Sequence, residues 1–334
     1  MIISSEGFIE EYIDKSYAEL LPVRDKLITG IRYFEEQKDD SCDEIIMYPS
    51  PEIIYQCNLE YLAKLCELIS KKFNEIFVWG GDGEEYEHYL FVIRAFLESK
   101  GLRYDSSLAS AVEERKAGRT YTLSDHIRGL VYSMLTNQTK WHRIEPNLPK
   151  IDKLFFDYDS EKIKGIPAEL FYNGLFALKC GNMSTKAQMD ALNENITLFE
   201  KITEDYGSID TFVTSEPAND IVKRFSKADS PYKLRMLGEA LVWEYLRNMG
   251  IDGAKPDTHL RRFLASDRMG IGATNPASVY EVNKQIDALA EETGLKKVEI
   301  DNLIWSFCAD GYGEICTALP HCRECPIREF CKRG

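Results

Sequence analysis

No stretch of this 334-residue chain is apolar enough to span a bilayer, and its start, Met1-Ile-Ile-Ser-Ser-Glu6, lacks the basic segment and apolar run of a secretory leader. The expectation is a soluble protein of the cytoplasm. Tandem repeats and low-complexity tracts are missing too, which excludes solenoids and repetitive linkers. Downstream of about residue 105 the β-branched alternation that marks strands is scarce, so no sheet is expected there. Cations are in the minority: 41 Lys and Arg stand against 55 Asp and Glu, a net charge of -14. That balance argues against a nucleic-acid partner, but it is uneven, since residues 1–118 carry -11 and residues 119–334 only -3. The second part can therefore present a basic face, with Arg261, Arg262, Arg323, Arg328, Lys332 and Arg333 as candidates; an ordinary mixed surface is the alternative.

What the chain does have is a compact run of thiols near its last residues, Cys316-Thr-Ala-Leu-Pro-His-Cys322-Arg-Glu-Cys325-Pro-Ile-Arg-Glu-Phe-Cys331, with five, two and five residues in the gaps. Four thiolates on so short a loop suit a 4Fe-4S cluster or a zinc ion. Two disulfides would need an oxidising compartment, which the missing leader argues against. The other five cysteines, Cys42, Cys57, Cys66, Cys180 and Cys308, are scattered and mostly among apolar neighbours, as reduced core cysteines are.

In chain order, residues 1–104 form an acidic N-terminal domain that mixes helical periodicity with a little β structure. Gly7–Glu36 and Leu59–Ile69 read as amphipathic helices, Glu75–Trp79 as a short strand entering a Gly80-Gly-Asp-Gly83 turn, and Tyr86–Lys100 as a helix ended by Gly101. The glycine turn has neither the Lys-Ser/Thr of a phosphate-binding loop nor a dinucleotide fingerprint. Binding of a protein partner is the default role for this acidic domain. Helices then follow over 106–117, 126–138 with Thr122 near the cap, 167–179, 185–205, 217–227, 232–249, 258–268, 277–292 and 296–309. The fold class is mainly α, and a monomer is expected. Pro256 fixes the chain just before Asp257, which opens a helix, where backbone N–H groups and the helix dipole keep a carboxylate ionised and aimed.

A helix ending in Asn137-Gln138-Thr139, then Pro256-Asp257-Thr258-His259, then the four-cysteine loop, in that order, resembles the helix-hairpin-helix DNA glycosylases of the endonuclease III and adenine glycosylase group. The resemblance covers roughly residues 105–334. It implies a six-helix domain at 122–250, with a degenerate hairpin at Lys233-Leu-Arg-Met-Leu-Gly238, and a cluster domain from 105–121 and 251–334. It implies a 4Fe-4S cluster on Cys316, Cys322, Cys325 and Cys331, although the family's first gap is one residue longer. Asp257 matches the family's essential aspartate, and Gln138 the amide inserted into the DNA stack beside a flipped nucleotide. Asn137, Trp141, Gly238, His259, Arg261, Arg323 and Arg328 are the other candidate DNA contacts. A fixed carboxylate beside the anomeric carbon makes chemical sense, because breaking an N-glycosidic bond builds positive charge on the sugar. Tyr132 and His142 are further aromatic neighbours of the wedge.

Two departures narrow the expectation. The family's lyase lysine falls at Glu239, which cannot form a Schiff base. The helix before Gln138 offers Ser133, Met134 and Leu135 where adenine glycosylases place their acidic donor. The expected activity is thus a monofunctional glycosylase in DNA base-excision repair, and the alternative is a non-catalytic DNA-structure-binding protein on the same scaffold.

Overall fold

The computed structural model describes residues 4–15, 17–36, 49–77, 88–102 and 107–333, and among them every regular element is a helix. The mainly α expectation holds, but the strand over Glu75–Trp79 does not: the helix Pro51–Phe77 runs through its first three residues. A helix already nucleated upstream extends cheaply, whereas a lone short strand has no partner to satisfy its backbone. Val78, Trp79 and the Gly80–Gly83 turn lie outside the described residues. No helix among those described is long and apolar enough to cross a membrane.

Contacts divide the chain into two units, Met1–Glu87 and His88–Gly334. In the first, the helices Tyr17–Glu36 and Pro51–Phe77 pack together around Leu20, Leu65 and Leu68, and the short helix Ser5–Glu10 stacks Phe8 on Tyr61 at 4.4 Å. The boundary expected at 104 therefore falls earlier. The helix Tyr89–Ser99 belongs to the second unit because Leu90, Ile93 and Leu97 are fully buried there with Phe263 and Phe307. Burial of three such side chains stabilises that placement by roughly 5 kcal/mol or more, and an amphipathic period does not say which neighbour buries it.

The second unit holds two cores. One, built from residues 121–249, is centred on the helix Leu123–Leu135, whose face Ile127, Leu130, Val131 and Met134 is fully buried. The other joins Tyr89–Ser99, Thr258–Phe263, Val279–Thr293 and Lys297–Cys308. The helix Ser107–Lys116 touches helices of both, and Arg115 ties it to the first through Met249 O at 2.6 Å and Asp210 Oδ1 at 2.6 Å. Gly250, at φ +68°, ends the helix Glu239–Asn248; a Cβ there would lie 2.5 Å from Ala111 O, so only glycine permits this approach.

Three expected helices are shorter than their patterns. Residues 232–238 are a turn before Glu239–Asn248, the helix at Asp257 stops at Phe263, and residues 185–205 divide into Thr185–Asp190 and Leu192–Tyr206. Residues 141–164, left unassigned by periodicity, carry several one- and two-turn helices too short to show a period. The scattered cysteines divide: Cys180 and Cys308 are buried, while Cys57 is half-buried and Cys66 exposed, against the expectation of core positions; Cys42 lies outside the described residues.

Candidate active-site cleft and cysteine cavity

A cleft of about 1340 Å³ opens in the second unit, and Asn137, Gln138, Trp141, Asp257, His259 and Arg261 all line it. Its rim begins with the helix Leu123–Leu135, started by a reciprocal cap in which Thr122 Oγ1 accepts from Asp125 N–H and Asp125 Oδ2 accepts from Thr122 N–H. Buried on its apolar face, that helix is fixed, so the turn after it is fixed too. Gln138 stands there exposed at φ +54°, a left-handed conformation that costs a non-glycine residue about 1 kcal/mol. Asn182 braces the turn, donating from Nδ2 to Asn137 O and, at 3.0 Å, to Thr139 Oγ1. The next residue, Met183, is 96% exposed. Sequence reading missed it, since one methionine between polar residues signals nothing until Asn182 ties it to the Gln138 turn. Tyr132 lines the cleft with its hydroxyl donated to Asp152 at 2.7 Å, and half-buried Trp141 packs on the first core.

On the floor, Asp257 caps the helix Thr258–Phe263, its Oδ1 accepting from His259 N–H at 2.7 Å and Leu260 N–H at 3.2 Å. Two backbone donors leave the carboxylate aimed with little freedom. Burial pushes the His259 imidazole down, against the Asp257 charge, so the neutral ring accepts from Arg262 Nη2 at 3.1 Å. Arg262 Nε also donates to Cys316 O at 3.3 Å, and Arg261 Nε to Ala277 O at 2.8 Å.

Beside Asp257 lies a set of buried charges that the sequence did not announce. Arg247 Nη1 pairs with Asp301 at 2.8 Å and with Glu244 at 3.4 Å, and its Nη2 donates to Asn302 at 2.7 Å. Lys255 Nζ lies 3.5 Å from Glu244 and donates to Thr136 Oγ1 at 2.9 Å, while its backbone N–H donates to Asp301 Oδ2. Burial pushes Asp301 up to about 7; Arg247 opposes, and the charges of Asp257 and Glu244 add to the rise. Burial also works to raise Glu244, but Lys255 and Arg247 outweigh it and hold that carboxyl below its ordinary value. The available signal was charge on an otherwise apolar face, as at Asp301 between Ile300 and Leu303.

Other predicted site residues stand elsewhere. Gly238 and Glu239 are exposed and do not line the cleft; from that helix's first turn Ala240 does. Within the hairpin turn Met236 takes φ +65°, and Lys233 Nζ donates to the carbonyls of Leu234 and Leu237, so the ammonium occupies the turn's interior. Ser133 donates to Leu241 O, and Met134 and Leu135 are buried, so none of the three reaches the cleft. Arg323 and Arg328 are exposed on the cysteine loop, away from the cleft, while Lys332 and Arg333 are committed to Gly270 O and Asp267.

Cys316, Cys322, Cys325 and Cys331 line one cavity, walled by Phe263, Phe307 and Ile327. Arg268, itself buried, donates from Nη1 to Cys316 Sγ at 2.9 Å and to Thr317 O at 3.2 Å. The hydrogen bond from Cys308, then Arg268, bring the Cys316 thiol down to about 6 against the effect of burial; burial pushes Cys308 and Cys325 up. Among the described residues no three His, Cys, Asp or Glu side chains converge closely enough to hold a single ion. The thiols enclose a space rather than meet at a point.

No family model matches the chain, and no curated protein matches it. Among solved structures it is similar to the crystal structure of Methanocaldococcus jannaschii 8-oxoguanine glycosylase/lyase in complex with 15mer DNA containing 8-oxoguanine, at 18% identity and a TM-score of 0.44, over 65% of this chain and 96% of that one.

Proposed function

We propose that this protein is a DNA-repair glycosylase that flips a damaged or mispaired nucleotide into the cleft and hydrolyses the bond between base and sugar. One observation carries the reading: a carboxylate held by two backbone N–H groups and an exposed amide in a left-handed turn line the same cleft. Flipping costs a few kcal/mol of stacking and pairing. Gln138 supplies a side chain to fill the vacated stack. Asp257 then faces the sugar, stabilising its growing positive charge and orienting the attacking water. Ala240, not an amine, faces the cleft from the hairpin exit, so the reaction is hydrolysis without a lyase step through that position.

The donor set around the cysteine cavity fits a 4Fe-4S cluster, which Cys316, Cys322, Cys325 and Cys331 would hold. Four thiols share one space, and Arg268 favours the thiolate at Cys316. Bound there, such a group cross-links the loop and adds binding energy to folding.

The test is a panel of duplexes carrying uracil, hypoxanthine, 8-oxoguanine, thymine glycol or adenine opposite 8-oxoguanine, with free base and bound DNA measured separately. Release of at least one base is expected. Tight binding of the panel without any release would make the protein a DNA-structure-binding module instead.

A further inference from the structure

Asp257 accounts for only half of the reaction proposed above. When the glycosidic bond breaks, its electron pair stays on the base, and an anionic base is a poor leaving group unless a cation or a proton meets it. The helix before Gln138 offers no acid, since Ser133, Met134 and Leu135 are turned into the core. The end of that helix is nonetheless met by a charge from another segment. Lys255 lines the cleft with Asp257, its side chain 12% exposed, and its Nζ sits 2.9 Å from Thr136 Oγ1.

We propose that Lys255 is a second catalytic residue, whose ammonium faces the departing base while Asp257 faces the sugar. This rests on the glycosylase reading of the cleft. Glu244 lies 3.5 Å from the ammonium, and Arg247 is shared between Glu244 and Asp301, so the three segments hold the lysine in place beside the cleft. The remaining groups around it are Asp257, with the Asp257 N–H donating to Lys255 O at 2.7 Å, and neutral His259. In the reaction the C1′–N bond breaks with its electron pair moving to the base, and Lys255 transfers a proton to the base. A water oxygen bonds to C1′ and loses its proton to solvent by way of Asp257, and Lys255 recovers a proton from solvent. An exposed surface lysine would gain nothing from such placement; a lysine kept out of solvent beside the reacting carboxylate has its charge amplified by the low dielectric of the cleft.

The experiment is single-turnover base release at saturating enzyme by the full chain and by Lys255→Ala and Lys255→Arg, on the duplex of the panel that wild type processes. Lys255→Ala is expected to lose about a hundredfold or more in rate with DNA affinity unchanged. Added ethylamine, or a more acidic fluoroethylamine, should restore part of it, and the restored rate should rise with the acidity of the amine. Lys255→Arg should keep more activity than Lys255→Ala. Should Lys255→Ala misfold because buried Glu244 keeps Arg247 as its one remaining charged partner, Lys255→Ala/Glu244→Gln removes both charges and the amine series is run on it. Release by the alanine variant at the wild-type rate overturns the proposal, and so does a slow variant indifferent to amines. If wild type releases no base at all, the glycosylase reading fails first and this inference falls with it.

Discussion

The rim and the floor of the cleft are built on opposite principles. At the rim the informative groups are uncharged, and Gln138 stands exposed in a left-handed turn. On the floor they are charged and withdrawn, with Asp301 2% exposed and Arg247 3%. A rim of this kind can enter a stack of bases without repelling phosphates. The floor concentrates charge where water is scarce, and Coulomb energies there exceed those at the surface severalfold. The floor is also backed by the cysteine cavity, since Phe263 and Phe307 belong both to its core and to the cavity wall. Affinity should thus follow the rim and rate the floor.

The largest expected break in this contrast comes from the cavity. Cys325→Ser should lose essentially all bound iron and loosen the core around Phe263 and Phe307, while the core around Leu130 and Phe199 keeps its amide protection. Iron analysis with hydrogen exchange reads both; one zinc equivalent and no iron in wild type would replace the cluster by zinc. Next, Asp301 makes the floor sensitive to pH. Its folded value of about 7 lies above the ordinary 3.8, so its contribution to stability is fully present below pH 3.8 and lost as pH rises through 7. Wild type should therefore lose stability between about pH 4 and pH 7 relative to Asp301→Asn, as thermal melts across that range would show. A pH-independent difference would mean Asp301 stays ionised beside Arg247.

A smaller effect belongs to the rim. Gln138→Ala should weaken binding of the processed lesion duplex by about tenfold, near 1.4 kcal/mol, with the melting temperature unmoved. Equal affinity would remove Gln138 as a wedge. Smallest is Met236→Gly in the hairpin turn: relief of φ +65° at a 45% exposed side chain should stabilise the fold by about 1 kcal/mol in denaturant titration.

The helical class, the Thr122 cap, the glycine stop at Gly250 and the cap role of Asp257 were legible because each is a local matter of period or backbone chemistry. The order of Asn137, Gln138, Asp257 and the four cysteines in the chain singled out residues that line one cleft and one cavity. Glu244, Lys255 and Asp301 were not, because their meaning depends on three segments meeting, and a buried charge looks in sequence like any surface one. The strand at Glu75 and the boundary at 104 failed for a related reason: a short apolar run does not state whether it will be paired or which core will bury it.

The most direct test of the contrast is Asp257→Asn, measured beside wild type for base release and for DNA affinity. Asparagine also caps a helix, so the fold should persist while the negative charge is gone. The account predicts that release falls on the order of a thousandfold or more with affinity held or improved. Release at an undiminished rate would reduce Asp257 to a helix cap and contradict it.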